Sequence, residues 1–481
     1  MVKKSVSWLF VFLFLSAIGS VFAQSGAALS LDECIAFALK NNSSLRNAIR
    51  QEKVADTYTT TALANILPTV TTSFSKGEFR QGDLVNISDV PIVGVDIVQI
   101  PVYDIADPTK QIGVGFSGQP KLVGYEQQEV TTGGSKRDYN NFNLRVDQNI
   151  YDGGRWWNQI KQAKASLRAS QFNHTATKQS VVRNVTLYYF QLLKALKLQE
   201  VYESAVTVAD EQLKRTESMY EIGSVALVDV YKARVSLGEN KINLVTQKNA
   251  VRIAKMNLNV AMGRNPDQEL EVMEFHDYKI PDYNLASAIQ AAVEKNPELK
   301  GLEEDANSAM YSAKVAKAQF LPNLGAGFSY TRSNSDFERV YTKYDKNYNY
   351  TIGLSVSWNL FNGFADKAAV EREQLNYHIA KENIVDRRRQ IIAEIKQAFI
   401  EMQAWREASD INKENLESAK EELRLEQEKY RVGSGTLLDV TVAQSSLTNA
   451  QSTLVQAEYE TIMAVVRLHA AMGVLEASGQ E

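Results

Sequence analysis

The chain has 481 residues, 44% of them hydrophobic and 23% charged, with a formal net charge of −4 at neutral pH. That balance gives no electrostatic reason to bind nucleic acid, and a single cysteine, Cys34, excludes an intrachain disulfide. The length prior of about three average domains fails for repeat proteins built from long helices.

Residues 1–23 read as a secretion signal. Lys3 and Lys4 precede an apolar run from Trp8 to Ile18, and small residues lead to Val21-Phe22-Ala23. Cleavage after Ala23 would start the mature chain at Gln24, and losing two lysines takes the net charge to −4 − 2 = −6. Cys34 follows Leu31-Asp32-Glu33, not the small residues that precede a lipidated cysteine. Its expected role is a small residue buried in a helix. No later segment stays apolar for the ~18 residues of a membrane-spanning helix. A β-barrel is the remaining way for such an exported chain to cross a membrane.

The rest reads as one unit written twice. Leu31-Asp-Glu-Cys-Ile-Ala-Phe-Ala-Leu-Lys-Asn-Asn42 matches Leu285-Ala-Ser-Ala-Ile-Gln-Ala-Ala-Val-Glu-Lys-Asn296 at an offset of 285 − 31 = 254. The offset holds to Leu67-Pro68 and Leu321-Pro322, where proline should end each first helix. From Asn149-Ile-Tyr-Asp-Gly153 and Asn359-Leu-Phe-Asn-Gly363 onward it is 359 − 149 = 210, so the first copy carries 254 − 210 = 44 extra residues. The expected organisation is a first helix over 24–66, a β-hairpin over 67–152 with an enlarged loop at 79–139, and a long helix pair over 153–263 with its tip at 221–226. A connector follows at 264–290. The second copy has its first helix at 291–320, its hairpin at 321–362 and its helix pair at 363–473 with a tip at 431–436. A tail at 474–481 ends the chain.

The hairpins alternate with period two. Phe142, Leu144, Val146 and Ile150 interleave with Asn143, Arg145, Asp147 and Asn149. In the second copy Ile352, Leu354, Val356, Trp358 and Leu360 interleave with Thr351, Gly353, Ser355, Ser357 and Asn359. Val70, Thr72 and Phe74 match Leu324, Ala326 and Phe328 in the first strands. An apolar face opposite a polar, glycine-rich one suits a barrel wall with lipid outside and water inside, although a half-buried soluble sheet shares the pattern. Four strands cannot close such a barrel, which needs at least about eight, so several chains must share one. Trp156, Trp157 and Trp358 fit either interface anchoring or packing at the strand-to-helix junction. The enlarged loop contains an apolar run, Val90 to Ile100, and many turn signals; its length marks it as functional or mobile.

Gly154 to Tyr220 and Gly363 to Tyr430 contain no proline, enough for helices of ~100 Å. Leu447, Ala450, Leu454, Ala457, Thr461, Ala464, Leu468 and Ala471 step by three and four, as do Leu237, Asn240, Leu244, Gln247, Val251, Ala254, Leu258 and Ala261. This is a coiled-coil seam. Each helix pair turns at a matched tip, Tyr220-Glu-Ile-Gly-Ser-Val-Ala-Leu-Val-Asp229-Val230 and Tyr430-Arg-Val-Gly-Ser-Gly-Thr-Leu-Leu-Asp439-Val440. Gly223 and Gly433 can end one helix at positive φ, and Ser224 and Ser434 can help cap the next.

Chemistry is sparse. His174, His276, His378 and His469 are scattered and give no metal-ligand spacing. Gly113-Val-Gly-Phe-Ser-Gly118 has dinucleotide-loop spacing, but Gln119-Pro120 follows where that loop needs a helix. No nucleophile elbow is present. No catalytic constellation, cofactor or metal is expected.

The duplicated Leu-Pro ends, the Asn-x-x-x-Gly strand exits and the Tyr-x-x-Gly-Ser-x-x-x-x-Asp-Val tips together resemble the TolC family of outer-membrane efflux ducts, over essentially the mature chain. The resemblance implies a mostly α protein with a membrane β-barrel. Four strands per chain enter a twelve-stranded barrel shared by a homotrimer, continued through the periplasm by an α-helical coiled-coil barrel. It implies passive export, with an inner-membrane pump and a periplasmic adaptor as partners. The adaptor would dock on the tips, here Gly223, Ser224, Val225, Gly433, Ser434 and Gly435. Tyr430 matches a tyrosine of the closing network, and Asp229 and Asp439 match acids near the entrance. Gly435 stands where the best-known pattern has arginine, and Val442 where it has a second acid; Arg431 is a candidate replacement for the arginine. Both aspartates also sit where a helix N-terminus favours negative charge, a compatible role. The competing reading is a non-conducting coiled-coil scaffold between two membranes.

Overall fold

The computed structural model describes residues 28–274, 283–342 and 344–475. The expected signal at 1–23, the middle of the connector and most of the tail lie outside them. The chain divides into two compact units, one of Leu63–Trp156 and Ala318–Gly363, the other of the remaining segments.

The helical unit repeats its elements almost residue for residue. α1 (Leu31–Asn41) and α2 (Ser43–Ala64) correspond to α5 (Leu285–Lys295) and α6 (Pro297–Lys317). α3 (Arg155–Glu221) and α8 (Ala365–Arg431) each have 67 residues, and α4 (Leu227–Met262) and α9 (Leu437–Met472) each have 36. At 1.5 Å per residue the long pair spans about 100 Å. Every expected seam position on α4 and α9 is buried or half-buried, including Ala254, Leu258, Ala457, Ala464 and Leu468.

Two expected boundaries shift. Each first helix is a pair broken at an asparagine, and the second begins at Leu285 rather than 291, so the connector ends at Asn284, whose side chain caps α5. Asn42 and Asn296 hold extended backbone between the paired helices. Asn42 Oδ1 accepts from the amides of Ser44 and Leu45, and Asn296 Oδ1 from those of Glu298 and Leu299, so each caps the helix after it. Their Nδ2 atoms donate to the carbonyls of Ala261 (3.0 Å) and Ala471 (3.5 Å), in the last turns of α4 and α9. Gly263 and Gly473 end those helices at φ +77° and +70°, and a Cβ on either would lie under 3.0 Å from the asparagine segment's backbone.

Cys34 is fully buried in α1, within a core shared with Val185, Tyr189, Phe190 and Leu258. Burial pushes its thiol up to about 12, which keeps it protonated and unreactive. A second core joins Ala292, Leu299, Ile391, Ile395 and Leu468. His469 packs edge-on against Tyr283 with ring centres 5.3 Å apart, and burial depresses its imidazole pKa.

The second unit holds a four-stranded antiparallel sheet in the order β1 (Thr69–Gln81), β4 (Ser135–Asp152), β5 (Asn323–Asn334), β6 (Tyr348–Ser357). The pairing separates the side chains cleanly. Val70, Val146, Phe328 and Ile352 form one cross-strand row, and Thr72, Leu144, Tyr330 and Tyr350 the next. Phe74 and Phe142 continue this face, and the Tyr330, Tyr348 and Tyr350 rings stack along it. Where all four strands pair, the other face carries only polar or small residues, in rows such as Thr71, Arg145, Ser329, Thr351 and Ser73, Asn143, Thr331, Asn349; Tyr139 and Phe79 follow on it where only β1 and β4 continue. Both β1 and β6 are edges of the sheet.

Three strand expectations are corrected. A register shift between Asn149 and Tyr151 puts Tyr151, not Ile150, opposite Leu324. Trp358 lies beyond β6, which ends at Ser357, and its indole donates to the Phe320 carbonyl at 3.1 Å. Residues 79–139 are not a loop. β1 continues to Gln81, β2 (Leu84–Tyr103) and β3 (Gln111–Thr132) form a long hairpin, and β4 begins at Ser135. The glycines and prolines that read as turn signals lie inside strands, and cross-strand side chains cover Gly94, Gly115 and Gly118. The Gly113–Gly118 motif sits in β3, with Val102 over Gly115 and Val95 over Gly118, so no helix N-terminus is there to hold a phosphate.

Candidate functional site

The two tips are the sharpest features of the helical unit. Each is a Schellman turn. At the first, the Gly223 amide donates to the Tyr220 carbonyl and Ser224 to Met219, both at 2.8 Å. At the second, Gly433 donates to Tyr430 at 3.2 Å and Ser434 to Lys429 at 2.9 Å. Gly223 and Gly433 have φ of +75° and +77°, in the left-handed region. The tips run from Ile222 to Ala226 and from Val432 to Thr436.

Neither serine caps the following helix. The N-caps are Ala226, which makes no side-chain cap, and Thr436, which does. Ser434 Oγ instead donates back to the Lys429 carbonyl at 3.2 Å. The Schellman turn uses up the serine's reach, so the cap falls two residues later. Val225 and its repeat counterpart Gly435 are half-buried; the other predicted tip residues are exposed. A Cβ on Gly435 would lie 3.0 Å from Lys429 Cβ and 3.1 Å from the Tyr430 amide nitrogen.

The predicted carboxylates part company. Asp439 accepts from the Thr436 amide at 3.0 Å and hydroxyl at 2.7 Å, completing a capping box. The Thr436 hydrogen bonds hold its carboxyl below the usual range. Asp229 faces Ala226 at the same position and pairs with Lys232 at 3.7 Å. Tyr430 is the group the fold brings toward Asp229. Its hydroxyl lies 3.9 Å from Met219 Sδ. Burial and then the Asp229 charge raise its pKa, opposed by a hydrogen bond with Thr216, so the phenol stays neutral and able to donate. Asp439 is absent from that set. Arg431 is occupied by Glu428 at 2.7 Å on its own helix.

Beside the tips lies an apolar groove of about 360 Å³, lined by Val228, Tyr231, Val235, Leu437, Leu438 and Thr441. Val228, Tyr231, Val235, Ile242 and Val245 form a second, exposed seam on α4, at steps of three, four and seven. Sequence reading missed this groove and the Thr436 cap. The three–four spacing and the Thr-x-x-Asp signature were both visible signals. Among the described residues, no group of three or more His, Cys, Asp or Glu could hold a metal.

A family model described as "Outer membrane efflux protein" matches residues 120–264 and 288–474. The outer membrane protein TolC of Escherichia coli is 25% identical over 364 residues, covering 72% of this chain and 73% of that protein. The alkaline protease secretion protein AprF of Pseudomonas aeruginosa is 20% identical and covers 100% of this chain and 90% of its own length. Among solved structures, the outer membrane protein VceC of Vibrio cholerae matches with a TM-score of 0.71 at 19% identity, over 92% of this chain and 96% of that one. The Campylobacter jejuni CmeC outer membrane channel gives 0.73 at 19% identity, over 94% and 87%. The family match runs through both tips, and the chain belongs to the outer membrane efflux protein family.

Proposed function

We propose that the chain is a subunit of an outer-membrane duct that passes small molecules or proteins out of the periplasm, within a tripartite efflux or type I secretion system. The observation that carries this reading is the two-faced sheet. One face presents Ile352 and Leu354, each 74% exposed, while the other, across the β5–β6 pair, is polar or glycine at every position. A sheet with an apolar face outward and a polar face inward can line water within lipid. A non-conducting scaffold has no use for the second face.

The sheet has two open edges, β1 and β6, and an open edge is a template for pairing. Closing it with two further copies gives three times four strands, a twelve-stranded barrel. Phe142, Leu144, Val146, Ile352, Leu354 and Val356 then face lipid. The helical hairpins continue the duct, and their tips, with Gly223, Ser224, Val225, Gly433, Ser434 and Gly435, meet a periplasmic adaptor that links to an inner-membrane pump. Tyr430 and Asp229 hold the entrance closed, and Asp439 supplies charge at its rim.

Purified protein should conduct ions across a planar lipid bilayer, and a Tyr430→Phe variant should conduct more. Absence of conductance from both, with protein correctly folded by circular dichroism, would leave the scaffold reading.

A further inference from the structure

The extra residues of the first repeat build the β2–β3 ribbon, and its pairing carries straight on from the sheet. β1 pairs with β4 from Thr69↔Asp147 to Gln81↔Ser135, and β2 with β3 from Leu84↔Thr132 to Ile92↔Gly124, without a change of register. The pairing is interrupted at 82–83 and 133–134, where the Gly134 amide donates to Asp83 Oδ1 and a Cβ on Gly134 would strike the Gln81 carbonyl. Because that register is kept, the face bearing Ser73 and Ser75 runs on to Val85, Ile87, Asp89 and Pro91; a register shift between Ile92 and Val93 then leaves Val123 of β3 unpaired, while the alternation of β2 carries the face on to Val93, Val95 and Ile97.

That face changes character along its length. Where all four strands pair it is polar, with Tyr139 and Phe79 beyond. In the outer ribbon it carries Pro91, Val93, Val95, Ile97, Gln99 and Pro101 opposite Tyr125, Leu122, Pro120, Gly118, Phe116 and Val114, with no charged side chain. Val95, Ile97 and Phe116 are each 68% exposed, and Tyr125 is 65% exposed. The reverse of this outer stretch differs, since it holds the Asp96–Lys121 ion pair at 3.3 Å, whereas both faces carry charge nearer the sheet, Asp89 and Glu129 on one and Glu126 on the other. A two-stranded ribbon in water is marginal by itself, and a contiguous apolar patch of this kind marks a contact surface.

We propose that the uncharged outer stretch of this face of the β2–β3 ribbon, from Pro91 to Pro101, packs against the same stretch of the ribbons from two other copies of this chain. The inference rests on the shared-barrel reading. In that barrel the Ser73 face looks toward the common axis, so the continuous apolar face looks the same way beyond the wall. The surface that meets it there is its own equivalent, repeated around the axis. A ring of three would bury Val95, Ile97 and Phe116 and leave the Asp96–Lys121 side in water. The ribbons would then form a constriction or turret over the outer mouth, an element the second repeat does not build.

Cysteine cross-linking of the full-length protein in its membrane tests this. In a Cys34→Ala background, Val95→Cys should yield covalent dimers of the chain on mild oxidation, and Asp96→Cys on the reverse face should not. The mass of the detergent-purified protein by analytical ultracentrifugation is read alongside. A trimeric mass without a Val95→Cys cross-link, with equal cross-linking at both positions, or with an adduct to a different polypeptide overturns the ribbon contact and leaves the barrel standing. A monomeric mass without cross-links overturns both.

Discussion

Asp439 accepts hydrogen bonds from both the amide and the hydroxyl of Thr436, so this carboxylate is first of all a helix cap. Its repeat counterpart Asp229 has Ala226 in that place and pairs with Lys232 instead. Two residues in equivalent turns therefore do different work. Thr436→Ala should destabilise the start of α9 by about 1 kcal/mol, read as faster amide exchange over residues 437–441. Unchanged exchange would mean the box adds nothing to the tip.

The same contact has a pH dependence. The folded-state pKa of Asp439 is depressed by Thr436, so its contribution is complete above the ordinary carboxylate value of about 3.9 and disappears as pH falls through the lower folded value. Protection of the α9 start should be flat from neutral pH to about pH 5. Asp439→Asn should remove the step at lower pH. A loss of protection already between neutrality and pH 6 would assign it to another group.

Tyr430 is the residue proposed above to hold the entrance closed. Its neutral hydroxyl reaches Met219 across the two helical hairpins and lies in the field of Asp229. Tyr430→Phe keeps the ring and removes the donor. The expected outcome in planar bilayers is a higher conductance or open fraction with little change in thermal stability. Asp439→Asn should change cation preference more than it changes opening, because Asp439 is not part of the Tyr430 contact. Equal effects of the two variants on both readouts would contradict this division.

Gly435 is closed to larger residues by its own tip. Its amide donates to the Lys429 carbonyl at 3.1 Å, and a Cβ would crowd the α8 backbone. Gly435→Arg should therefore lower stability rather than restore an arginine-based gate. Gly433→Ala should cost about 1–2 kcal/mol for a different reason, the left-handed backbone. Thermal unfolding of the two variants separates them from the wild type; a Gly435→Arg protein as stable as the parent would refute the crowding argument.

Arg332 is buried beneath the β5–β6 connection. Its guanidinium donates to the carbonyls of Arg339 (3.2 Å) and Lys346 (3.3 Å) and lies 4.9 Å from the Tyr344 ring centre. Arg332→Met should leave these carbonyls without their donor, at roughly 1–3 kcal/mol. Limited proteolysis should then cut within residues 335–347 faster than in the parent.

Much of the architecture was legible in residue order because it is written twice. The matched offsets, the proline-free runs, the three–four seams and the tip glycines need only local rules. The helix pairs and the tip turns follow them closely. What the sequence could not supply were the features that depend on partners distant in the chain. Asn42 and Asn296 look like ordinary polar residues until their side chains meet the ends of α4 and α9. Residues 79–139 looked like a loop because glycine and proline punctuate them, but cross-strand pairing with Val95, Ile100 and Val102 turns those glycines into strand positions. Asp229 and Asp439 are identical in pattern, and only the neighbours folded around them place one in a capping box with Thr436 and the other beside Lys232, where its charge acts on Tyr430. Periodicity fixes which face of an element is apolar; the tertiary structure decides what that face, or a polar group on it, finally meets.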